Sequence, residues 1–202
     1  MAKLSSSMFI SLDGVVEVGE GEWHFPYFDA PMGEAVTRTH AAPRMLFGRV
    51  TYDSFAGAWP DREKAGEDDA QMAKDLGDKR KYVLSHSPLE FTWRNSEQLM
   101  GDFVEAVTAL KAEEGDIFLS GSPSVVRQLL QHGLLDELNL FVHPVLVGKG
   151  ERLFPEDGPT THLKLVSSEA FPKGVQLMVF QPAQGAPGST DYEDVREHIA
   201  QD

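Results

Sequence analysis

The chain has 202 residues, 41% hydrophobic and 25% charged, a composition that belongs to folded globular proteins and excludes global disorder. Its 18 basic residues face 32 acidic ones, a net charge of −14, so the overall field repels nucleic acid and anionic membrane surfaces. There is no cysteine, which removes disulfides, thiolate catalysis, thiolate zinc sites and iron–sulfur clusters and points to a reducing cytoplasm.

No segment reaches the roughly 20 apolar residues that span a bilayer, and the first fourteen residues lack the apolar run of a signal peptide. A soluble intracellular protein is expected, with a small-molecule ligand and neither nucleic acid nor membrane as partner. Short apolar runs alternate with amphipathic stretches, which is the pattern of an α/β fold. Residues 3–12 read as the first strand, closed by the turn pair Asp13-Gly14. Residues 30–42 favour a helix, and Met45-Leu46-Phe47 before Gly48 is a short buried strand. A helix opens at Gly48-Arg49 and runs to Ala58, where Pro60 is expected to stop it.

The charge-rich stretch 61–80 predicts a solvated loop and helix, a lid or flank outside the core. Residues 81–85 form the next strand, with Pro88 closing its exit. Phe103, Val107 and Leu110 share one helical face, placing an amphipathic helix over 101–113. Ile117-Phe118-Leu119 is a strand, and residues 123–132 form a helix with Ser122 as N-cap, Pro123 in the first turn and Gly133 as C-cap. Leu138 to Val147 reads as a long apolar strand interrupted late by Pro144. Residues 162–168 and 174–181 form a hairpin around the turn 171–174. The expected core domain is 1–182, with seven or eight strands, and 183–202 is an acidic polar tail.

Three strand exits carry residues suited to phosphate. Gly48-Arg49-Val50-Thr51 combines a close-approach glycine, a full positive charge and a hydroxyl at a helix start. Ser120-Gly121-Ser122-Pro123 again lies between a strand and a helix, and Leu84-Ser85-His86-Ser87 ends a strand in hydroxyls and an imidazole. Each motif alone is weak: a Gly-Ser helix start is more often a plain cap than a phosphate cradle, and Ser85-His86 reads equally as an exposed turn before Pro88. Ligands of open α/β sheets bind outside the carboxyl ends of the strands, so three such ends suggest one extended ligand with several phosphates, such as a dinucleotide.

With these motifs in order, the chain resembles the dihydrofolate-reductase-like superfamily. Within it, the resemblance is to the family named for the C-terminal reductase domain of bacterial riboflavin biosynthesis. The matching stretches are Ser11-Leu12-Asp13-Gly14, Glu22-Trp23, Gly48 to Tyr52, Trp59-Pro60, Lys81 to Ser85 and Leu119 to Ser122. The longest runs from Gly133-Leu134-Leu135-Asp136-Glu137-Leu138 through Pro144 to Gly150 and Leu153-Phe154. The resemblance implies a three-layer fold with a mostly parallel twisted sheet of about eight strands flanked by helices, and NADPH as hydride donor.

Carried over residue by residue, the resemblance puts Gly48, Arg49 and Thr51 at the cofactor's phosphates and Ser85 by the 2′-phosphate. Gly121, Ser122 and Pro123 would line the pyrophosphate, and Trp23 would lie against the cofactor. Asp13 falls near the nicotinamide and substrate end, as proton source directly or through a water; the bland alternatives are a core tryptophan and a turn aspartate. The region 138–146 lies beside a two-fold contact in this family, which implies a homodimer.

The departures are specific. Folate-reducing members carry a carboxylate on the first helix, but here neither Asp29 nor Glu34 falls in register. Riboflavin-type enzymes place an acid where this chain has Leu119. The seven histidines are scattered without cysteine partners, so no metal site is expected, and no Gly-x-Ser-x-Gly elbow supports a hydrolase. What remains is an NADPH-dependent oxidoreductase acting on a small heterocyclic or carbonyl-like molecule, or else a non-catalytic nucleotide-binding or regulatory protein on the same fold.

Overall fold

The structure is a computed structural model that describes residues 1–17, 22–67, 69–186, 188 and 196. Eight strands form one sheet: β1 (Leu4–Ser11), β2 (Arg44–Gly48), β3 (Arg80–Leu84), β4 (Ser96–Leu99), β5 (Ile117–Leu119), β6 (Glu137–His143), β7 (Leu163–Ala170) and β8 (Gln176–Pro182). Their order across the sheet is β4-β3-β2-β5-β1-β6-β8-β7. The pairings among β1 to β6 are parallel, and β8 runs antiparallel to both β6 and β7. The mostly parallel α/β sheet and its antiparallel C-terminal hairpin are those expected.

The helices are α1 (Ala30–Thr39), α2 (Arg49–Ala65), α3 (Ala70–Asp78), α4 (Phe103–Ala112) and α5 (Pro123–Gln131), with a short 3-10 turn over Phe25–Tyr27. Strand alternation decides which helix covers which face. Leu4, Met8 and Ile10 of β1 point to one side, where they pack with Val107 and Leu110 of α4 and Val125, Val126 and Leu129 of α5. On the opposite side the core is split. Met32, Ala35 and Val36 of α1 pack with Phe141 and Leu177, whereas Tyr52 of α2 and Leu76 of α3 pack with Met45, Phe47 and Phe118. The gap between these two clusters is the cleft described below.

Three local readings are corrected by the fold, and one strand is added. The helix over 49–65 passes through Pro60, although an interior proline costs about 3 kcal/mol. Its last turns are held from outside: Arg62 pairs with Asp69 at 2.9 Å and lies over Trp59 at 5.1 Å, and Glu63 binds Arg94 at 2.6 Å. The stretch 61–80 is not wholly solvated, because α3 buries Ala73, Leu76 and Gly77 on one face. The apolar strand expected to reach Val147 ends at His143, before Pro144. Finally, β4 escapes the hydrophobic pattern: it is a short polar edge strand, Ser96 to Leu99, pairing with β3 alone.

Gly133 has φ +64°, and around it the Leu134 amide donates to Leu129 O at 2.8 Å and its own amide to Leu130 O at 3.2 Å. This is a Schellman closure of α5, which satisfies the last carbonyls. The acidic tail begins beyond β8; residues 187, 189–195 and 197–202 lie outside the described residues. Among the described residues no helix is long and apolar enough to cross a membrane.

A candidate ligand cleft at the carboxyl edge of the sheet

Because β3, β2 and β5 are adjacent and parallel, their exits open on one edge. Gly48 ends β2 and is the N-cap of α2, and Ser122 follows β5 as the N-cap of α5; neither gives its helix a side-chain cap. The Ser122 hydroxyl instead accepts from the Gly48 amide at 3.1 Å and lies 2.6 Å from the Thr51 hydroxyl. The expected cap of α5 is therefore a cross-link between two helix starts. One of the two hydroxyls must donate to the other, which leaves the remaining proton and lone pairs of the pair for a ligand.

This arrangement demands glycine at 48. A Cβ there would lie 2.5 Å from Ser122 Oγ, 3.0 Å from Ser122 Cβ and 3.1 Å from Val125 Cγ2. Gly121 has φ +80° and is joined to Ser122 by a cis peptide bond; a Cβ on it would meet Thr51 at 3.8 Å. Two helix N-termini thus converge, α5 offering the Ser124 amide because Pro123 carries no N–H, and their dipoles favour an anion. Arg49 adds an exposed guanidinium, 3.5 Å from Asp53, and Pro123 is the first residue of α5.

The structure therefore brings Gly48, Thr51, Gly121 and Ser122 together, with Arg49 and Pro123 beside them. Ser85 follows β3, the next strand across. Its hydroxyl donates to Ser87 O at 2.9 Å and accepts from the Ser87 amide at 3.2 Å, closing a local turn. Trp23 and Asp13 are not in this group. The Trp23 indole N–H donates to Glu17 O at 3.0 Å, and its ring meets His143 edge-on at 5.1 Å.

Asp13 spans the exit of β1 and the segment after β6. Oδ1 accepts from Ser11 Oγ at 2.6 Å and from the Val147 amide at 3.0 Å, and Oδ2 accepts from the Gly148 amide at 2.8 Å. The Ser11 hydroxyl foremost, then these amides, hold its carboxyl down at about 2. At neutral pH this is an ionised clamp, so of the two expected routes it fits delivery through a held water and not direct donation of its own proton.

Between the two core clusters lies a cavity of about 550 Å³. Its walls are Phe9 of β1, Val36 of α1, Phe55 and Trp59 of α2, and Met72 and Leu76 of α3. Ser120 at the end of β5 connects it to the phosphate-suited edge, and His24, Phe25 and Phe28 close it from the 3-10 segment. Phe55 and Trp59 stand at i and i+4, a spacing that could have marked a helical aromatic face from sequence. Nothing local marks His24, which becomes a wall residue only through the path of its loop.

His24 is 7% exposed and its Nδ1 has no partner; burial first, then the neighbouring His143, push its imidazole down to about 4. His143 is fully buried, with Nδ1 2.8 Å from Phe141 O and Nε2 without a partner, so it is only half satisfied. The missing folate-type carboxylate is explained as well. Asp29 caps α1 by accepting from the Met32 amide at 2.9 Å and from the Lys173 amide at 3.1 Å, while Glu34 is exposed. Leu119 is buried in the core under α5. Among the described residues no group of His, Asp and Glu is placed to hold a metal ion.

Comparison with known proteins agrees with this geometry. The family model described as the RibD C-terminal domain matches residues 2–177. An uncharacterized protein of Bacillus subtilis (strain 168), YyaP, is 31% identical over 173 residues, covering 85% of this chain and 90% of that one. A pyrimidine reductase-like protein from Corynebacterium diphtheriae superposes with TM-score 0.61 at 18% identity, over 91% of this chain and 93% of the other. Dihydrofolate reductase from Enterococcus faecalis, solved with NADP(H), superposes with TM-score 0.56 at 14% identity, over 90% and 97% of the two chains. The fold is that of the dihydrofolate-reductase-like reductases, and the chain belongs to the RibD C-terminal domain family.

Proposed function

We propose that the protein is a cytoplasmic NADPH-dependent reductase of a small heterocyclic or carbonyl-like molecule. The observation that carries this reading is the cross-linked pair of helix starts, Gly48–Thr51 and Gly121–Ser122, opening beside an aromatic cavity. The first-turn amides of α2, the Ser124 amide of α5 and the Thr51 and Ser122 hydroxyls suit the pyrophosphate, and glycine at 48 lets the two helix starts close on each other. Arg49 and Ser85 are assigned to the adenosine side and its 2′-phosphate. NADPH, when bound, supplies a hydride. The chain's own part is to hold the two reactants in contact and to keep water from them, through Phe9, Phe55 and Trp59 on the cavity walls.

Asp13 is assigned to fastening residues 147 and 148 beside the exit of β1, and Trp23 to packing against His24 and His143. Residues 1–182 are taken as the catalytic domain. A homodimer is part of the proposal; the region 138–146 expected beside the contact lies largely in β6, inside the sheet, and two strands away the outer strand β7 exposes Leu165 and Val166, each 48% accessible, as edge surface for a second copy. Sedimentation of the wild type against Val166→Lys tests this.

The deciding experiment is titration of the full chain with NADPH and with NADH, read by tryptophan fluorescence. Tight NADPH binding with much weaker NADH binding supports the reading, and binding of neither removes it. One observation favours the alternative of a nucleotide-binding protein without catalysis. Among the described residues no free carboxylate lines the cavity, since Asp69 is bonded to Arg62. Consumption of NADPH with any acceptor would decide against that alternative.

A further inference from the structure

The charged groups among the cavity's described lining residues are paired with each other. Arg62 is the cation among its described lining residues, and it is bonded to Asp69 at 2.9 Å and laid over Trp59. The Ser7 hydroxyl shares a 3.1 Å hydrogen bond with Thr39. His40 stacks on Phe118 at 4.8 Å, and burial pushes its imidazole down to about 4, so like His24 it is neutral near pH 7. A phosphate or carboxylate placed here would lose its hydration with no free counter-charge, inside a protein of net charge −14. Flat rings, by contrast, find Phe9, Phe25, Phe28 and Phe55 to pack against. The one buried polar atom of the lining that has no partner is His24 Nδ1.

We propose that this cavity takes an uncharged flat heteroaromatic molecule, free of phosphate and carboxylate, whose ring nitrogen or N–H hydrogen-bonds His24. The inference rests on the reading of the cavity as the acceptor half of a reductase cleft, and it names the acceptor's chemistry. An N-heterocycle offers the His24 imidazole in the wall a hydrogen-bond partner and fills the aromatic walls. A phosphorylated pyrimidine satisfies the walls but brings its phosphate against the Asp69 carboxylate and a guanidinium whose charge that carboxylate already offsets.

The test is calorimetric titration of the full chain, with and without NADP⁺, using three probes: benzimidazole, its carboxylate derivative, and benzothiophene. Benzimidazole should bind at least about tenfold tighter than either of the others, one comparison reading the charge and the other the hydrogen bond. Met72→Lys, on the half-buried wall contributed by α3, should weaken benzimidazole and strengthen the carboxylate, closing the gap between them. His24→Phe should abolish the advantage of benzimidazole over benzothiophene while leaving benzothiophene unchanged.

A carboxylate that binds wild type as tightly as benzimidazole overturns the proposal. So does failure of all three probes, or a preference that Met72→Lys leaves unmoved in a folded variant. Probe binding that follows this pattern in a chain that does not bind NADPH would overturn the reductase reading and leave the cavity's chemistry standing.

Discussion

Ser122 Oγ and Thr51 Oγ1 lie 2.6 Å apart, and this contact fastens the start of α5 to the first turn of α2 across the exits of adjacent strands. The same Ser122 oxygen accepts the Gly48 amide at 3.1 Å. Two helix starts that would otherwise move independently are one rigid unit, so amides from both can face a single ligand.

Ser122→Ala should therefore act twice. It strands the buried Gly48 N–H and frees Thr51, a loss of about 1–3 kcal/mol, visible as a Tm lowered by several degrees. NADPH affinity should fall in the same variant. Unchanged thermal unfolding would mean that the contact contributes nothing to stability.

Gly48→Ala should be the more damaging change, because the new Cβ would stand 2.5 Å from Ser122 Oγ. Its backbone, φ −81° and ψ 156°, suits alanine, so the cost is steric alone. Combining it with Ser122→Gly should recover stability relative to Gly48→Ala by removing the clashing atoms. A double variant whose losses simply add would refute this account.

Arg49→Ala removes an exposed guanidinium that lies 3.5 Å from Asp53. A charge-assisted contact to the 2′-phosphate is worth about 1.5–3 kcal/mol, so the NADPH Kd should rise about tenfold to a hundredfold while that for NADH hardly moves. Equal changes for both nucleotides would take Arg49 off the 2′-phosphate.

Stability should fall in acid through two separate windows. His24 and His40 are both held down to about 4, and burial also lowers His143. The unfolded chain takes up their protons first, as pH falls below 6.5. Their contribution is therefore complete above 6.5 and is lost progressively toward 4. Asp13, held at about 2 against an ordinary 3.8, contributes above 3.8 and is lost only below it. Urea midpoints measured from pH 7 to 4 should decline in wild type and decline less in His24→Phe/His40→Phe; equal slopes would exclude these histidines as the cause.

Asp13→Asn keeps the shape but gives up one acceptor. Of the Val147 and Gly148 amides that Asp13 now holds, one should lose its partner and exchange hydrogen faster, with α5 unaffected. Unaltered exchange at both amides would show that the clamp is not held by this carboxylate.

Much of this architecture is local and could be read along the chain. Leu4, Met8 and Ile10 alternate because one face of β1 is buried under α4 and α5, and Gly133 marks the end of α5 because its φ is +64°. The three strand exits carry their Gly, Ser and Thr residues as sequence neighbours, so the phosphate-suited edge was visible before the fold. Other elements were decided at long range. Pro60 stays inside α2, and the turn beyond it is tied to distant residues through Arg62–Asp69 and Glu63–Arg94. The strand β4 exists only because β3 offers it an edge.

The amino-acid sequence by itself determined the α/β class, the succession of elements and the residues gathered at the carboxyl edge, since each depends on side-chain period and turn chemistry within a few residues. Only the tertiary structure decided what those residues do. It turned Ser122 from a cap into a cross-link, set Asp13 against the Val147 and Gly148 amides, and opened an aromatic cavity between α1 and the pair α2 and α3 with His24 unpartnered in its wall. Those outcomes follow from desolvation and from contacts between residues far apart in the chain, and no local pattern encodes either.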